Sequence, residues 1–460
     1  MPPKINPEIF REYDIRGLVD QDLTLSAVEL IGKAIGTHIR RNGGKTLTLG
    51  RDMRKSSPGF GEALARGLQS TGCDVIDIGL VPTPVAYFSL HHLKPDGGVM
   101  ITGSHNPPEF NGIKISHGVH SLYGEKIQDL RKLIENNDFE AGRGTHRATD
   151  VRQAYMENIC NIIRIPRKVK FVVDGGNGCF GIVGPDLLRK LGQDPIELFC
   201  EPDGTFPNHH PDPTVLKNMQ DLIAKVKETG SEMGMGFDGD ADRIGVIDDK
   251  GNIIWGDQLL ILFGRDLLKR HPGAAIVGEV KCSQNLYRDI EKHGGKPVMA
   301  PAGHSLIKKK MRETHALLAG EMSGHICFAD NYLGFDDATF AACRVLEIVA
   351  RSEGKLSDML ADIPKTAYTP EIRIDCPDSR KFQIVRELTE HFRGKYDVVD
   401  IDGVRVNFGD GWALVRASNT QPVLVLRFEA ETQPRLKELV GIMKEQLDGY
   451  RPEVVFDPEI

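Results

Sequence analysis

A chain of 460 residues, 40% hydrophobic and 27% charged, reads as an ordinary globular protein of roughly three domains, within a range of two to four. Its net charge of −7 argues against general attraction to nucleic acid or acidic lipid, so an anionic ligand would need cations gathered locally. The N-terminal MPPKINPEIF carries no apolar signal core, no run reaches membrane-spanning length, and the cysteines at 73, 160, 179, 200, 282, 327, 343 and 376 form no CxxC pair, so a cytoplasmic protein with small, reduced core cysteines is expected.

In chain order, a helical period over 26–43 ends at Gly43, followed by the short strand TLTLG, a helix over 58–72, the strand DVIDIG, a helix over 83–93 and the strand GGVMIT. Strands alternating with helices of this length predict βαβ units and a mainly parallel sheet. The pattern restarts after a polar segment near 140–150, with KVKFVVDGGNG, DPIELFC and SEMGMGFDGD as strands. It restarts again after the helix WGDQLLILFGRDLL, with AAIVGEV, KPVMAPAG and ALLAGEMSG. From about 367 the strands TPEIRIDC, DVVDIDGVRVNF, GWALVRAS and PVLVLRFEA lie close together, with helices over 379–392 and 434–447, which predicts a smaller α+β unit. The expected domains are therefore 1–150, 151–252, 253–366 and 367–460.

Four polar loops each follow an apolar strand: GSHNPP, DGDADR, GEMSGH and RASNTQP. Ligands of open α/β sheets bind beyond the carboxyl ends of strands, so these loops are candidates to meet in one cleft. Asp238, Asp240 and Asp242 alternate, and three carboxylates turned to one point call for a hard cation, Mg²⁺ or Ca²⁺, in preference to an acidic solvated turn. Arg243 lacks the glycine an EF-hand needs there, and a guanidinium beside a metal makes sense when an anion bridges the two. Arg416, Ser418, Asn419 and Thr420 have the composition of a phosphate cradle, or of a hairpin turn with an incidental arginine; Arg427 on the next strand reads as a surface or packing residue. Glu321, Ser323 and His325 share a face of an extended loop, and His325 is a candidate proton donor or acceptor. Tyr13, Arg16, Arg51, Arg54, Lys55 and His304 extend the same basic picture, whereas Lys308, Lys309 and Lys310 read as a solvated helix face. GGNGCFG carries a G-x-G-x-x-G spacing but reads as a tight strand–helix turn, because Asp174 would oppose a pyrophosphate; NGGKT fails the P-loop frame, with isoleucine at position 39. Ser104 sits between a glycine and two prolines on a constrained turn. His105 is not expected to act on it, since neighbouring side chains diverge, and Lys114 is placed to return across the loop. With a metal cluster and anion loops elsewhere, Ser104 becomes a candidate phosphoryl acceptor and donor.

Together YDIRG, GRDMRKSS, TGSHNPPEFNGIKI, GFDGDADR, GHSLIKKK, GEMSGH and RASNTQPVLVLRFEA, in that order from residue 12 to beyond 420, make the chain resemble the α-D-phosphohexomutases, most closely the bacterial phosphomannomutase/phosphoglucomutase group. The resemblance implies three α/β domains of one topology, with mixed, mainly parallel sheets, and a TATA-binding-protein-like α+β fourth domain around a central cleft. It implies a phosphorylated Ser104 and one Mg²⁺ per chain held by Asp238, Asp240, Asp242 and the phosphoserine. It places Glu321 and Ser323 on the sugar and Arg416, Ser418, Asn419 and Thr420 on the non-reacting phosphate. Tyr13, Arg16, His105, Lys114, Arg243, Lys281, His304 and His325 would line the cleft. Ala241 departs from the glycine of many relatives, which puts the loop geometry in question.

The reaction so implied interconverts hexose 1-phosphate and hexose 6-phosphate, of mannose or glucose, through a hexose 1,6-bisphosphate, with glucose 1,6-bisphosphate as activator. Mg²⁺, Arg16 and Lys114 would stabilise the transferring group, and His325 or Lys114 would serve as the base. A monomer without nucleic-acid or membrane partners is expected. A phosphoglucosamine mutase is the near alternative, disfavoured by Met322 and RASNT. A phosphoserine-using phosphatase and a non-catalytic sugar-phosphate binder are the more distant ones.

Overall fold

The computed structural model describes residues 5–419 and 421–458. They form four sheets in chain order, each with its own helices. In the first, the order is Ile15–Leu18, Phe110–His117, Gly97–Ile101, Thr46–Arg51, Asp74–Leu80, His146–Ala148, with the short His120–Ser121 beside Phe110–His117. Thr46–Arg51 runs parallel to both of its neighbours, while Gly97–Ile101 turns back antiparallel into Phe110–His117. The second sheet repeats this plan: Phe171–Asp174 and Met233–Phe237 are parallel, and Met233–Phe237 turns back into Ile244–Asp248. The third does so again, with Ala275–Glu279 parallel to Leu318–Gly320, which returns as Ile326–Phe328.

This common plan matches the expected mixed, mainly parallel sheets: GSHNPP, DGDADR and GEMSGH each leave the carboxyl end of a parallel-paired strand and return as an antiparallel one. Phe110–His117 and Ile326–Phe328 belong to stretches whose motif residues masked a strand pattern. The central strands are buried along their whole length, so they read as continuous apolar runs rather than alternating ones.

The fourth sheet is antiparallel, with Val423–Ala430 paired to Gly411–Ala417, Ile372–Asp375 and Ala367–Tyr368. DVVDIDGVRVNF, expected as one strand, is two: Asp397–Val399 and Val404–Asn407 pair as a hairpin, and the glycine between them, Gly403, has φ +83°. The helices Asp378–Arg393 and Gln433–Asp448 cover this sheet with Ile384, Leu388, Phe392, Leu439 and Met443.

One continuous apolar core runs through parts of the first three units, from Ile76 to Leu356, whereas the fourth keeps a separate core. The fourth unit meets the third through a small cluster of Val280, Trp412 and Leu414. The buried Arg405 guanidinium stacks 3.8 Å over Trp412 and donates to the carbonyls of Val280 and Cys282. Among the described residues no helix is long and apolar enough to cross a membrane. All eight cysteines are free, and Cys160 and Cys200 are only half-buried, so they are not all core residues.

The G-x-G-x-x-G stretch is spent on packing. After Asp174 the chain makes a turn of 3₁₀ helix, Cys179–Ile182, and a methyl group on Gly178 would lie 2.8 Å from the Gly239 carbonyl oxygen. That close approach seats the DGDADR loop on its own domain.

Candidate active site

The strand Gly97–Ile101 is buried throughout, and the chain leaves it through Thr102, whose hydroxyl accepts from the Ser104 N–H at 2.8 Å. Ser104 itself has φ +48°, the left-handed region that costs a non-glycine residue of the order of 1 kcal/mol or more. Something must hold it there, and Arg54 does. Its side chain is 1% exposed, and its guanidinium donates to the carbonyls of Ser104 (2.8 Å), Asn106 (2.5 Å), Pro107 (2.6 Å) and Phe110 (2.9 Å). The fifth N–H, on Nε, goes to Asp52 Oδ2 at 3.2 Å, and the same oxygen accepts from the Gly103 N–H at 3.0 Å. Arg54 is thus not a free cation of the cleft, as expected from its basic neighbourhood, but a bracket that fits one loop. Arg51 is drawn to Asp77 at 3.6 Å, and Lys55 is exposed.

Ser104 Oγ lies 2.9 Å from Asp238 Oδ2 and 3.2 Å from His105 Nδ1. The contact with His105 corrects the expectation that neighbouring side chains diverge: the left-handed turn at Ser104 brings them to one side. The DGDADR loop abuts the serine directly, because a Cβ on Gly239 would sit 2.3 Å from the Ser104 carbonyl oxygen. Ala241 is held at φ +59°, so the loop adopts the left-handed turn despite the methyl group.

Within that loop Asp238 Oδ1 accepts from the Asp242 and Arg243 N–H groups, both at 3.1 Å. Lys114 Nζ reaches Asp240 Oδ2 at 2.8 Å and Asp242 Oδ2 at 2.5 Å, and Thr83 Oγ1 donates to Asp240 Oδ2 at 2.6 Å. Lys114 arrives on Phe110–His117, opposite Met100, so the return across the loop is an antiparallel strand. All three carboxylates are fully buried, with ligand oxygens within 4.8 Å of one another. Burial, then Asp242 and Asp240, push the Asp238 carboxyl well above its ordinary range. Burial also works to raise Asp240, but Lys114 overrides it and holds that carboxyl low. Burial opposes the charge on Lys114, and Asp240 and Asp242 more than restore it, so its ammonium is held well above the ordinary lysine value. Asp240 Oδ1 and Asp242 Oδ1 are buried without a hydrogen-bond partner. Unsatisfied carboxylate oxygens in a buried three-aspartate cluster that also touches a serine hydroxyl fit a hard divalent cation of the Mg²⁺ type.

GEMSGH turns between Leu318–Gly320 and Ile326–Phe328. Glu321 Oε1 accepts from the Gly303 N–H at 2.7 Å, and Ser323 faces the cleft. His325 Nε2 accepts from Arg243 Nε at 2.9 Å, while its Nδ1 lies 3.1 Å from Asp336 Oδ2. His304 Nδ1 lies 3.3 Å from the same oxygen. Lys308, expected on a solvated face, is 6% exposed and bonded to Asp336 Oδ1 at 2.7 Å. The correction follows from the helical period: His304, Ile307, Lys308 and Met311 share the inward face, and Lys309 points out.

At the far end, Arg416 Nε donates to Asp402 Oδ2 at 2.9 Å. Asn419 reaches the Tyr13 hydroxyl at 3.1 Å, and that hydroxyl donates to the Ala302 carbonyl at 2.8 Å, so residues of the first, third and fourth units touch there. Ser418 Oγ accepts from the Gln421 N–H at 3.1 Å; Thr420 lies outside the described residues. Arg427 is not a surface residue: it is 5% exposed, donates to the Lys281 carbonyl at 2.7 Å and lines the cleft. Lys281 Nζ sits between Glu279 (3.5 Å) and Glu371 (3.2 Å).

Two adjoining cavities join these loops. One, of about 580 Å³, is lined by Arg16, Ser104, Lys114 and Asp242. The other, of about 440 Å³, is lined by Lys281, Glu321, Ser323, Arg416, Ser418 and Asn419. Tyr13, His105, Arg243, His304 and His325 border both, so a serine–carboxylate end and an arginine end share one cleft. Asp238 and Asp240 lie beneath its wall. Sequence reasoning missed Asp52, Thr83, Glu279, Asp336, Glu371 and Asp402. Of these Glu279, at the carboxyl end of a parallel strand, and Asp52, directly after another and within GRDMRKSS, carried a positional signal.

Four family models match the chain in order. They are described as phosphoglucomutase/phosphomannomutase alpha/beta/alpha domain I (residues 7–141), domain II (153–251), domain III (255–367) and C-terminal domain (371–446). The chain is 46% identical to a phosphomannomutase/phosphoglucomutase of Pseudomonas syringae over 453 residues, covering 98% of this chain and 97% of that one. It is 43% identical to a phosphoglucomutase of Neisseria gonorrhoeae, covering 97% and 98%. The crystal structure of a phosphoglucomutase/phosphomannomutase family protein from Burkholderia thailandensis superposes with a TM-score of 0.92 at 43% identity, over 98% of this chain and 99% of that one.

Proposed function

Because the chain belongs to the phosphoglucomutase/phosphomannomutase family, we propose that it interconverts hexose 1-phosphate and hexose 6-phosphate by way of a phosphoserine at Ser104 and a hexose 1,6-bisphosphate. The observation that carries this reading is the placement of Ser104 Oγ, 2.9 Å from Asp238 Oδ2, on a cleft whose other end is lined by Arg416. A phosphate on Ser104 would stand beside the carboxylates, and the substrate's second phosphate would lie with Arg416, Ser418, Asn419 and Thr420.

Asp238, Asp240 and Asp242, with a phosphoserine oxygen, would hold one Mg²⁺, which when bound neutralises charge on the transferring phosphoryl group. The remaining work falls to side chains. The sugar hydroxyl oxygen attacks phosphorus and its proton passes to His325 Nε2; the bond from phosphorus to Ser104 Oγ breaks and its electron pair stays on Oγ, near the Lys114 ammonium. The bisphosphate then turns end for end, and Ser104 Oγ takes the other phosphoryl group as His325 returns its proton to the departing sugar oxygen. His325 is the better base than Lys114: two carboxylates keep Lys114 protonated, whereas His325 Nε2 presents a lone pair, which Arg243 holds at 2.9 Å and must release as the sugar proton arrives. Glu321 and Ser323 suit the sugar hydroxyls. Arg16, bonded to Asn106 of the serine loop at 2.7 Å, suits the transferring phosphate. Glucose 1,6-bisphosphate would act as activator by supplying the first phosphoryl group. One chain completes the cleft, so a monomer suffices.

The test incubates the protein with glucose 1-phosphate or mannose 1-phosphate, Mg²⁺ and a trace of glucose 1,6-bisphosphate, and measures 6-phosphate and inorganic phosphate. Isomerisation without phosphate release is expected, with Ser104→Ala lowering kcat on the order of a thousandfold or more. Phosphate release without isomerisation would mean a phosphatase, and full activity of Ser104→Ala would remove the phosphoserine.

A further inference from the structure

Asp402 lies in the hairpin turn between Asp397–Val399 and Val404–Asn407, outside every motif. The next residue, Gly403, packs straight onto the strand that carries Arg416: a Cβ there would lie 2.6 Å from the Arg416 Cβ. The turn thereby lays the Asp402 carboxylate along the Arg416 side chain. Asp402 Oδ2 accepts from Arg416 Nε at 2.9 Å and from the Ala302 N–H at 2.9 Å. One oxygen of the fourth unit thus holds both the arginine of the phosphate loop and the backbone of the third unit.

Ala302 is itself a fixed point. Its carbonyl accepts from the Tyr13 hydroxyl at 2.8 Å, and the following N–H, of Gly303, donates to Glu321 Oε1 at 2.7 Å. Gly303 has φ +124°, and a Cβ there would lie 2.5 Å from the Tyr13 ring. The segment that Asp402 grips is therefore already held by the first unit and by the sugar loop.

Arginine presents its N–H groups as a planar fork. Asp402 takes the Nε–H of Arg416 and leaves both terminal nitrogens without a hydrogen bond among the described residues. The side chain is buried and lines the cleft. A carboxylate on Nε stops the guanidinium from turning and leaves the two parallel N–H groups at its end for a phosphate. A carboxylate that stood nearby without this contact would weaken phosphate binding by like-charge repulsion. The sign of its effect on affinity therefore separates a positioning residue from a bystander.

We propose that Asp402 is a positioning residue of the phosphate subsite: it pins Arg416 through Nε so that the guanidinium meets the substrate phosphate end-on, and through Ala302 it sets the distance from that subsite to the sugar loop. This rests on the reading of Arg416 as the holder of the non-reacting phosphate. Asp402 touches neither the substrate nor the transferring group and exchanges no proton.

The test titrates the whole protein calorimetrically with glucose 6-phosphate and with inorganic phosphate, alongside steady-state kinetics. Asp402→Ala is expected to weaken glucose 6-phosphate binding and raise KM roughly ten- to thirtyfold, with kcat within about threefold of native. Asp402→Glu keeps the charge but displaces the oxygen by a methylene; it is expected to move the same way, and it carries the test if the alanine variant does not fold. Asp402→Asn keeps an acceptor oxygen in place and restores most of the affinity. Inorganic phosphate, which cannot span to the sugar loop, loses less affinity than glucose 6-phosphate in Asp402→Ala. Equal or tighter binding of glucose 6-phosphate by folded Asp402→Ala or Asp402→Glu overturns the proposal. So does a fall in kcat with KM unchanged, or an asparagine variant no better than alanine. Native protein that binds glucose 6-phosphate without isomerising it would remove the mutase reading and leave this one standing.

Discussion

Arg54 shows how little a residue's type says about its task. It lies in a basic stretch of sequence, yet all five of its N–H groups serve the Ser104 loop and Asp52. Lysine offers a single ammonium and cannot copy that fork. Arg54→Lys is therefore expected to leave buried carbonyls unmatched, to lower stability by about 2–4 kcal/mol, and to lower kcat more than KM as the strained turn at Ser104 relaxes. Denaturant unfolding and steady-state kinetics of the variant check both. The serine, the three aspartates and the loop residues near them were legible in the sequence, because they come as short contiguous motifs. Asp336 and Asp402 were not: their partners lie on other elements, 11 and 14 residues away, and nothing local distinguishes such an aspartate from a turn or cap residue.

At the scale of elements, the repeated device is a parallel strand that turns back through a loop into an antiparallel one. The turn fixes both ends of the loop on adjacent strands, so its side chains have little freedom. Where two such loops meet, backbone approaches backbone: Gly239 has no room for a Cβ beside the Ser104 carbonyl oxygen. Gly239→Ala is expected to push the two loops apart, weaken the Mg²⁺ dependence of activity, and lower kcat by up to about a hundredfold, since a displacement near 1 Å has that effect on phosphoryl geometry. Mg²⁺ titration of the variant's activity reads this directly; unaltered Mg²⁺ dependence would show that the contact is not needed.

At the scale of the whole molecule, parts of three units share a core, and the fourth keeps its own and joins the third through contacts that include the charged Lys281–Glu371 pair. Burial would raise the Glu371 carboxyl, but Lys281 and then Arg373 override it and lower it to about 2. A depressed carboxyl stabilises the fold above its unfolded value of about 4.5, and that contribution is lost as pH falls toward 2. The shift corresponds to roughly 3 kcal/mol at neutral pH. Glu371→Gln is thus expected to be less stable than the native protein at pH 7 and to converge with it as pH falls from 4.5 toward 2, a trend that thermal unfolding across that range measures. A constant gap would show that Glu371 contributes by packing alone.

The sequence by itself determined the three α/β units and the different fourth one, because strand and helix periods are local, and it determined the composition of the site, because each loop carries its chemistry within about six residues. Only the tertiary structure decided which oxygens of Asp240 and Asp242 are spent and which are left for a cation, that Arg54 and Lys308 are buried, and that Ser104 and His105 turn to the same side. Those outcomes depend on partners tens to hundreds of residues away and on distances of a few ångströms, which no local pattern encodes.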